Sequence, residues 1–256
     1  PQPWVEGLDW VRFKERTAEG IGQVYLFGEL RSGEGFAGYY LWAWLFKTPL
    51  AAQILALAAF GAWWARRRRF RFLENELFLL LPLAFFIVYF NFFYRAQIGF
   101  RFMLVAVPLV HVFTSSLLHR PSPLRRRLRW ALPALLAWQV VSVLSWFPHF
   151  IPYVNELVRP RWHGYRILSD SNIDWGQAQW HKDRWLEEHP QAIFEPVRPT
   201  AGTVVVRVSY LTAVVRPRQY RWLRNYMQPV DHIAYAYLVY EVTPEDLEAM
   251  PRRALW

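Results

Sequence analysis

The sequence predicts an α-helical integral membrane protein with four transmembrane helices and a C-terminal, extracytoplasmic, small α/β domain. Three observations lead to this class. Of the 256 residues, 54% are hydrophobic and 18% are aromatic, more than is usual in a globular chain. Several apolar runs approach the roughly 20 residues that a helix needs to cross a bilayer. The positive charge is concentrated between these runs, which are residues 38–64, 76–94, 102–118 and 131–150.

The net charge of +10 raises the question of a nucleic-acid partner. Most of the excess lies in segments 65–76 and 119–130, each of which carries five arginines. Both segments separate apolar runs, where the positive-inside rule expects cytoplasmic loops. The charge therefore indicates topology, and no nucleic-acid partner is expected. Both termini then lie on the extracytoplasmic side.

The N-terminal region, residues 1–37, is predicted to be an interfacial helix followed by a loop. Trp4, Leu8 and Val11 follow the i, i+4, i+7 spacing of one helix face. Such a helix next to a membrane is expected to lie in the interface. Five glycines between residues 20 and 35 predict a turn-rich loop. The chain begins with Pro1 and shows no signal peptide, so a fragment or a processed chain is expected.

Residues 38–150 form the predicted transmembrane region, and residues 151–256 the α/β domain. In the latter, Asp174 with Gln177 predicts a capping box for a helix that ends before Pro190. The β-branched stretch GTVVVRVSYLTAV predicts a strand. A short helix and a closing strand are predicted for PRQYRWLRNYM and HIAYAYLVYEV.

Lys47 is unusual because it lies about nine residues inside the first apolar run, roughly 13 Å at the helical rise. Two interpretations have equal weight. The lysine can snorkel to the outer headgroups, or it can be placed to bind an anion, since ionisable residues within membranes are often functional. Pro49 favours the second interpretation because it loosens the backbone where the helix would pack on a ligand cavity.

Arg95 and Arg101 lie at the same outer face, between the second and third runs. Arg95 is interpreted chiefly as a solvated headgroup contact. Arg101 begins a run, so it is either a headgroup anchor or a phosphate ligand. A guanidinium can bind phosphate bidentately, which a lysine cannot do.

The sequence provides no recognisable metal or nucleophile motif. There is no cysteine, which excludes thiolate metal sites and thiol nucleophiles, and the seven histidines lack ligand spacing. The stretch LSDSNIDWGQ resembles the start of a calcium loop, but Trp175 and His181 occupy the positions that require Gly and Glu. Asx-turns leading into a helix explain it better. No metal, no cofactor and no catalytic residue are therefore assigned.

Four stretches resemble a known family. They are YLFGELRSGEGFAGYYLWAWLFKTPL, IGFRFMLVAVP, NELVRPRWHGYRILSDSNIDWGQ and YRWLRNYMQPVDHIAYAYLVYEV. They are similar to bacterial membrane glycosyltransferases of the dolichyl-phosphate-mannose–protein mannosyltransferase type, in the GT-C superfamily. The best match includes Asn155-Glu156-Leu157 and Asp170 to Gln177. The resemblance fails where the family has Trp-Trp and this chain has Phe36-Ala37-Gly38.

The resemblance implies an enzyme of the bacterial inner membrane that uses a polyprenyl-phosphate-linked sugar as donor. It implies that Lys47 and Arg101 bind the carrier phosphate. Candidate substrate-loop residues are Glu29, Arg31, Tyr39, Tyr40 and Arg95. A structural motif is expected at Asp170, Asn172, Asp174, Trp175 and Gln177. The similarity covers the C-terminal half of the family's protein, and the family's catalytic acid lies upstream, so this part alone is expected to be inactive.

Two other classes are compatible with the pattern. A non-enzymatic four-span scaffold or subunit with an outer recognition domain has the same organisation. A transporter is disfavoured because a single lysine without a paired carboxylate offers no ion coupling. The expected partners are membrane lipids and the donor, while the acceptor is not specified by the sequence.

Overall fold

The computed structural model describes residues 2–17, 23–65, 77–119 and 123–251. The chain divides into two compact units. The helical unit comprises residues 36–94 and 99–158, and the mixed unit comprises residues 1–35, 95–98 and 159–256. The predicted order of three successive regions differs from this division, because the N-terminal residues belong to the same unit as the C-terminal ones. The mainly helical class with a small sheet region agrees with the structure.

The helical unit is built from apolar helices joined by short irregular turns. A π-helical turn at Tyr89–Phe93 follows α4, and a 3-10 turn at Phe100–Val105 precedes α5. The helices are α2 (Tyr39–Lys47), α3 (Leu50–Trp64), α4 (Leu77–Val88), α5 (Ala106–His119) and α6 (Pro123–Leu144).

The first apolar run is not one straight helix. Helices α2 and α3 meet at an angle of 116° across Thr48 and Pro49, a bend that we call the elbow. The ring of a proline disfavours the helical conformation of the preceding residue, and Thr48 is accordingly extended. The prediction of one continuous span at 38–64 was therefore wrong. Lys47 is the last residue of a separate short helix and does not lie midway along a straight span.

Four full-length spans are not supported by the described residues. Within them, one helical stretch, Phe100–Leu117, is long and apolar enough to cross a bilayer. The bent pair α2 and α3 passes the same test only when its two helices are taken together. The stretches Leu77–Phe93 and Trp130–Leu144 are apolar but shorter than the roughly 20 residues required. The predicted fourth run reached residue 150, whereas α6 ends at Leu144 and turns follow it.

The arginine-rich segments can be located only in part. Residues 66–76 and 120–122 lie outside the described residues, so the predicted cytoplasmic loops cannot be compared with the structure there. Helix α6 begins at Pro123, and the backbone of Arg125, Arg126, Arg127 and Arg129 is therefore helical. The prediction of a loop through residue 130 was therefore wrong for residues 123–130, which belong to α6.

The N-terminal part of the mixed unit contains a helix and a small hairpin. Helix α1 (Gln2–Thr17) confirms the predicted helix, and Trp4, Leu8 and Val11 on it are exposed. The expected turn-rich loop contains β1 (Val24–Leu26) and β2 (Glu29–Arg31), which pair antiparallel. Strand β1 is joined to the C-terminal part of the same unit by a bridge between Leu26 and Leu168.

Gly35 packs so closely on a buried glutamine that a side chain would collide with it. Its φ of +65° lies in the left-handed region, and a Cβ built there would lie 2.8 Å from Oε1 of Gln97. We expect Gly35→Ala to lower the free energy of unfolding by about 2–4 kcal/mol, since conformational strain and overpacking add. Gly28→Ala is the matched control, because Gly28 also has positive φ but no atom within 4 Å. Equal losses in chemical denaturation of the two variants would contradict the steric explanation.

The C-terminal part of the mixed unit is a four-stranded sheet covered by short helices. The strand order is β3-β4-β6-β5, with β3 parallel to β4 and the other pairs antiparallel. Its core includes Trp222, Tyr220 and Leu238, which are almost fully buried. The elements are α7 (Gln179–Glu188), β3 (Ile193–Phe194), β4 (Gly202–Arg207), α8 (Val208–Leu211), α9 (Arg221–Tyr226), β5 (Asp231–Ile233), β6 (Tyr237–Val242) and α10 (Pro244–Ala249).

The predicted elements of this part are confirmed with three corrections. Helix α9 lies where it was expected, and α7 ends two residues before Pro190. The strand predicted for residues 202–214 ends already at Arg207, and helix α8 follows it. The predicted closing strand is instead a hairpin, because Ala234 and Tyr235 adopt positive φ and reverse the chain between β5 and β6. The predicted capping box at Asp174 does not form, since α7 begins at Gln179 without a side-chain cap.

Candidate functional site at the elbow

The end of α2 is held by hydrogen bonds from distant residues. A helix leaves its last four carbonyl groups without partners inside the helix. Nδ2 of Asn155 donates to the carbonyl of Leu45 and, at 2.8 Å, to the carbonyl of Thr48. The backbone N–H of Asn155 donates to the carbonyl of Phe46 at 2.8 Å. Nε2 of Gln53 also donates to Leu45 and Thr48, both at 2.9 Å. These two amides replace the bonds that the bend removes.

The ammonium of Lys47 is held at the same bend. Its Nζ donates to the carbonyl of Ile151 at 2.6 Å, and the side chain is half-buried. Ile151 lies four residues before Asn155, whose side chain binds the end of α2. The same short segment therefore contacts both Lys47 and the end of this helix. Lys47 and Asn155, which lie in two of the four stretches that carry the family resemblance, thus meet at the elbow.

A cleft of about 200 Å³ opens beside the elbow. Trp44 and Thr48 line it from the end of α2, and α3, α5 and α6 provide the rest of the wall. On α5 the lining extends from Val110 to Leu117, about 10 Å at the helical rise. The cleft is therefore an elongated space between helices. Its other lining residues are Ala52, Leu55, His111, Thr114, Ser115, Leu132, Leu136 and Gln139.

The polar groups that α5 contributes to this cleft are used within the helix. Thr114 donates from Oγ1 to the carbonyl of Val110 at 2.7 Å, and Ser115 donates to that of Val112 at 2.7 Å. The Nδ1 atom of His111 lies 2.8 Å from the carbonyl of Val107. Such back-bonding removes hydroxyl donors from the surface of a helix. The cleft therefore presents a mainly apolar wall, which suits a hydrocarbon chain.

Arg101 and the two tyrosines lie toward the other end of α2. Arg101 is exposed in the 3-10 turn, and its Cζ lies 5.2 Å from the ring centroid of Phe102. Tyr39 and Tyr40 are buried in α2, so the structure places these two substrate-loop candidates in a helix core. Tyr40 and Lys47 are seven residues apart, about 10 Å along the helix.

The remaining substrate-loop candidates belong to the mixed unit. Glu29 and Arg31 form an exposed ion pair of 2.9 Å within β2. Arg95 is exposed, and its carbonyl accepts a hydrogen bond from the backbone of Gln97. The structure therefore divides the sequence-predicted candidates between the two units.

The motif at residues 170–177 is a self-contained turn. The carboxylate of Asp174 accepts a hydrogen bond from the N–H of Gly176 at 2.9 Å. The side-chain amide of Gln177 accepts one from the N–H of Trp175 at 2.6 Å and donates one to the carbonyl of Ile173 at 2.9 Å. Trp175 is exposed, but its indole donates to Ser171 at 3.0 Å. Asp170 has a φ of 57°, and the buried Asn172 donates to Ser169 at 3.2 Å. These contacts favour the predicted structural role.

Gln177→Ala is expected to lower the free energy of unfolding by about 1 kcal/mol, since it removes both side-chain hydrogen bonds of Gln177. Gln179→Ala, at the exposed first residue of α7, is the control. Denaturant titration measures the loss, and lipid-carrier binding should stay unchanged. Loss of binding without loss of stability would assign the motif to a ligand site.

The sequence analysis did not identify a half-buried charge pair in the mixed unit. Oε1 of Glu195 and Nε of Arg207 lie 3.7 Å apart, and Cζ of Arg207 lies 5.5 Å from the ring centroids of Tyr210 and Tyr237. Burial raises the pKa of the Glu195 carboxyl, although the nearby Arg207 and Arg216 lower it. Register pairing places Arg207 opposite Tyr237. No local signal in the sequence joins residues from separate strands.

The raised pKa of Glu195 predicts a pH dependence of stability. Because the folded-state pKa lies above the unfolded one, the stabilising contribution of the neutral carboxyl is complete at low pH and is lost as pH rises through the folded-state pKa. We expect that Glu195→Gln removes this loss of stability with rising pH, because glutamine does not ionise. Denaturant titrations at several pH values measure it, and an unchanged profile would contradict the assignment.

Comparisons of this chain with protein-family models, with curated proteins and with solved structures find no match.

Proposed function

We propose that this chain is the C-terminal part of a membrane glycosyltransferase of the GT-C type. It would transfer a sugar from a polyprenyl-phosphate carrier to an acceptor hydroxyl at the outer face of the membrane. The observation that supports this most is the meeting of Lys47, Thr48 and Asn155 at the elbow, beside an apolar cleft. A cation next to a hydrocarbon-sized cleft is complementary to a lipid that carries an anionic headgroup.

In this proposal the helical unit is embedded in the bilayer, with the elbow at its outer boundary. Lys47 and Arg101 bind the carrier phosphate, and the cleft receives the adjoining hydrocarbon chain. The acceptor hydroxyl attacks the anomeric carbon, the bond from that carbon to the phosphate oxygen breaks, and the phosphate takes the electron pair. Cations at the phosphate stabilise the charge that develops on it. The carboxylate that takes the proton belongs to the upstream half of the enzyme.

Binding of matched lipids tests the proposal. The protein is purified in a phosphorus-free detergent and titrated by calorimetry with a polyprenyl phosphate and with the uncharged polyprenol of the same length. We expect the phosphate to bind at least ten-fold more tightly, because the two lipids differ only in the group that the cations recognise. Equal affinities would contradict the proposal, and binding of neither lipid would favour the non-enzymatic scaffold.

A further inference from the structure

The segment 151–156 connects α2 to α6 through hydrogen bonds on both of its sides. Toward α2 it binds Lys47 through Ile151 and the helix end through Asn155. Toward α6, the hydroxyls of Tyr153 and Ser142 share a buried hydrogen bond of 2.9 Å. A segment held on both sides in this way keeps the side chain between Asn155 and Leu157 in a fixed position.

That side chain is Glu156, and the described residues provide a hydrogen-bond partner for one of its two carboxylate oxygens. Oε1 accepts a hydrogen bond from the indole Nε1 of Trp138 at 2.9 Å. Oε2 is buried and has no hydrogen-bond partner among the described residues. A buried acceptor without a donor costs free energy, about 1–3 kcal/mol for a neutral group and more for a charged one. The position of this carboxylate is therefore determined, but half of its hydrogen-bonding capacity is not used.

Glu156 does not line the cleft itself, but its hydrogen-bond partner and its chain neighbour both adjoin residues that do. Its partner Trp138 precedes Gln139, which lines the cleft from α6. Its neighbour Asn155 binds the carbonyl of Thr48, which lines the cleft from α2. The carboxylate thus lies between two elements that form the cleft, on the segment that also fixes Lys47.

We propose that Oε2 of Glu156 accepts a hydrogen bond from a hydroxyl of the sugar carried by the lipid phosphate. This inference rests on the proposed function and adds a specificity-determining residue to it. A sugar linked to a phosphate at Lys47 presents several hydroxyl donors within a few ångströms of that phosphate. A carboxylate is an acceptor only, so it discriminates a hydroxyl-bearing headgroup from bare phosphate.

The test compares two lipids in binding to the same protein. The probes are polyprenyl phosphate and polyprenyl-phosphate mannose of equal chain length, titrated by calorimetry. We expect Glu156→Gln to weaken binding of the mannosyl lipid about ten-fold and to leave binding of the bare phosphate unchanged. Trp138→Phe removes the donor to Oε1. It should weaken binding of the mannosyl lipid less than Glu156→Gln does, and it should leave binding of the bare phosphate unchanged.

Lys47→Met separates this inference from the proposed function, since it should weaken the binding of both lipids. If Glu156→Gln leaves both affinities at the wild-type value while Lys47→Met lowers them, the role of Glu156 is wrong and the phosphate site stands. If Glu156→Gln and Trp138→Phe weaken the binding of both lipids equally, the contact between the two residues acts on folding, and the inference is overturned. If the wild-type protein binds neither lipid, the proposed function fails, and this inference fails with it.

Discussion

Lys47→Met should lower the affinity of the protein for a polyprenyl phosphate about ten- to one-hundred-fold and leave the affinity for the corresponding polyprenol unchanged. The lysine lies at the elbow, with its ammonium held by the carbonyl of Ile151 at 2.6 Å. A hydrogen bond between charged groups contributes about 1.5–3 kcal/mol, which corresponds to this loss. Methionine keeps the unbranched chain and removes the charge, so packing at the elbow is largely preserved. Calorimetric titration with the two lipids measures the effect.

Arg101→Met should also weaken binding of the phosphate, since the proposed function assigns Arg101 as the second phosphate ligand. Lys47→Arg should restore binding only in part, because a planar fork does not replace a compact ammonium. The control is Arg218→Met, at an exposed arginine of the mixed unit. If Lys47→Met and Arg101→Met bind the phosphate as tightly as Arg218→Met, neither cation is a phosphate ligand.

Asn155→Ala should lower the free energy of unfolding by about 2–4 kcal/mol. The change removes the two side-chain hydrogen bonds that Asn155 donates to the carbonyls of Leu45 and Thr48, which then keep Gln53 as their side-chain donor. It also removes the Oδ1 acceptor of the N–H of Leu157. Each of these three hydrogen bonds contributes about 0.5–1.5 kcal/mol. Denaturation monitored by far-ultraviolet circular dichroism, in the same detergent, measures the loss.

Asn155→Asp separates hydrogen bonding from packing, because it keeps the volume and replaces the two amide donors with an acceptor. It should destabilise the protein at least as much as the alanine variant. Asn225→Ala, at an exposed residue of α9, is the control and should change stability by less than about 0.5 kcal/mol. A small effect of both changes at Asn155 would mean that other groups hold the elbow together.

Much of the fold could be predicted because it depends on local signals. The apolar stretches of the helical unit are helical and α9 lies where the pattern placed it, while β4 covers the first six residues of the predicted strand. The break in the first run was also encoded locally, since Pro49 constrains Thr48. A proline within an apolar run is tolerated in many membrane helices, and composition alone therefore did not distinguish a kink from a 116° bend.

The candidate site could be predicted only in part, because its polar contacts join residues far apart in the chain. Lys47 and Arg101 stand out as cations near apolar runs. The partners of the elbow do not, since Asn155 lies 107 residues after Thr48 and its amide has no local motif. The same reason hides the contact of Trp138 with Glu156. The burial of Tyr39 and Tyr40 likewise depends on packing against the turns after α4 and before α5.

The most direct test of the central claim is a measurement of the distance between the ammonium of Lys47 and the carrier phosphate. The sequence contains three lysines, Lys14, Lys47 and Lys182, so ¹⁵N labelling of lysine side chains gives few signals, and Lys47→Arg identifies the one required. In a phosphorus-free detergent, bound polyprenyl phosphate supplies the only ³¹P, and solid-state dipolar recoupling reports the distance. We expect strong dephasing of the Lys47 signal, as for a nitrogen–oxygen hydrogen bond of about 2.7–2.9 Å. A bound phosphate that leaves the Lys47 signal without dephasing would contradict it.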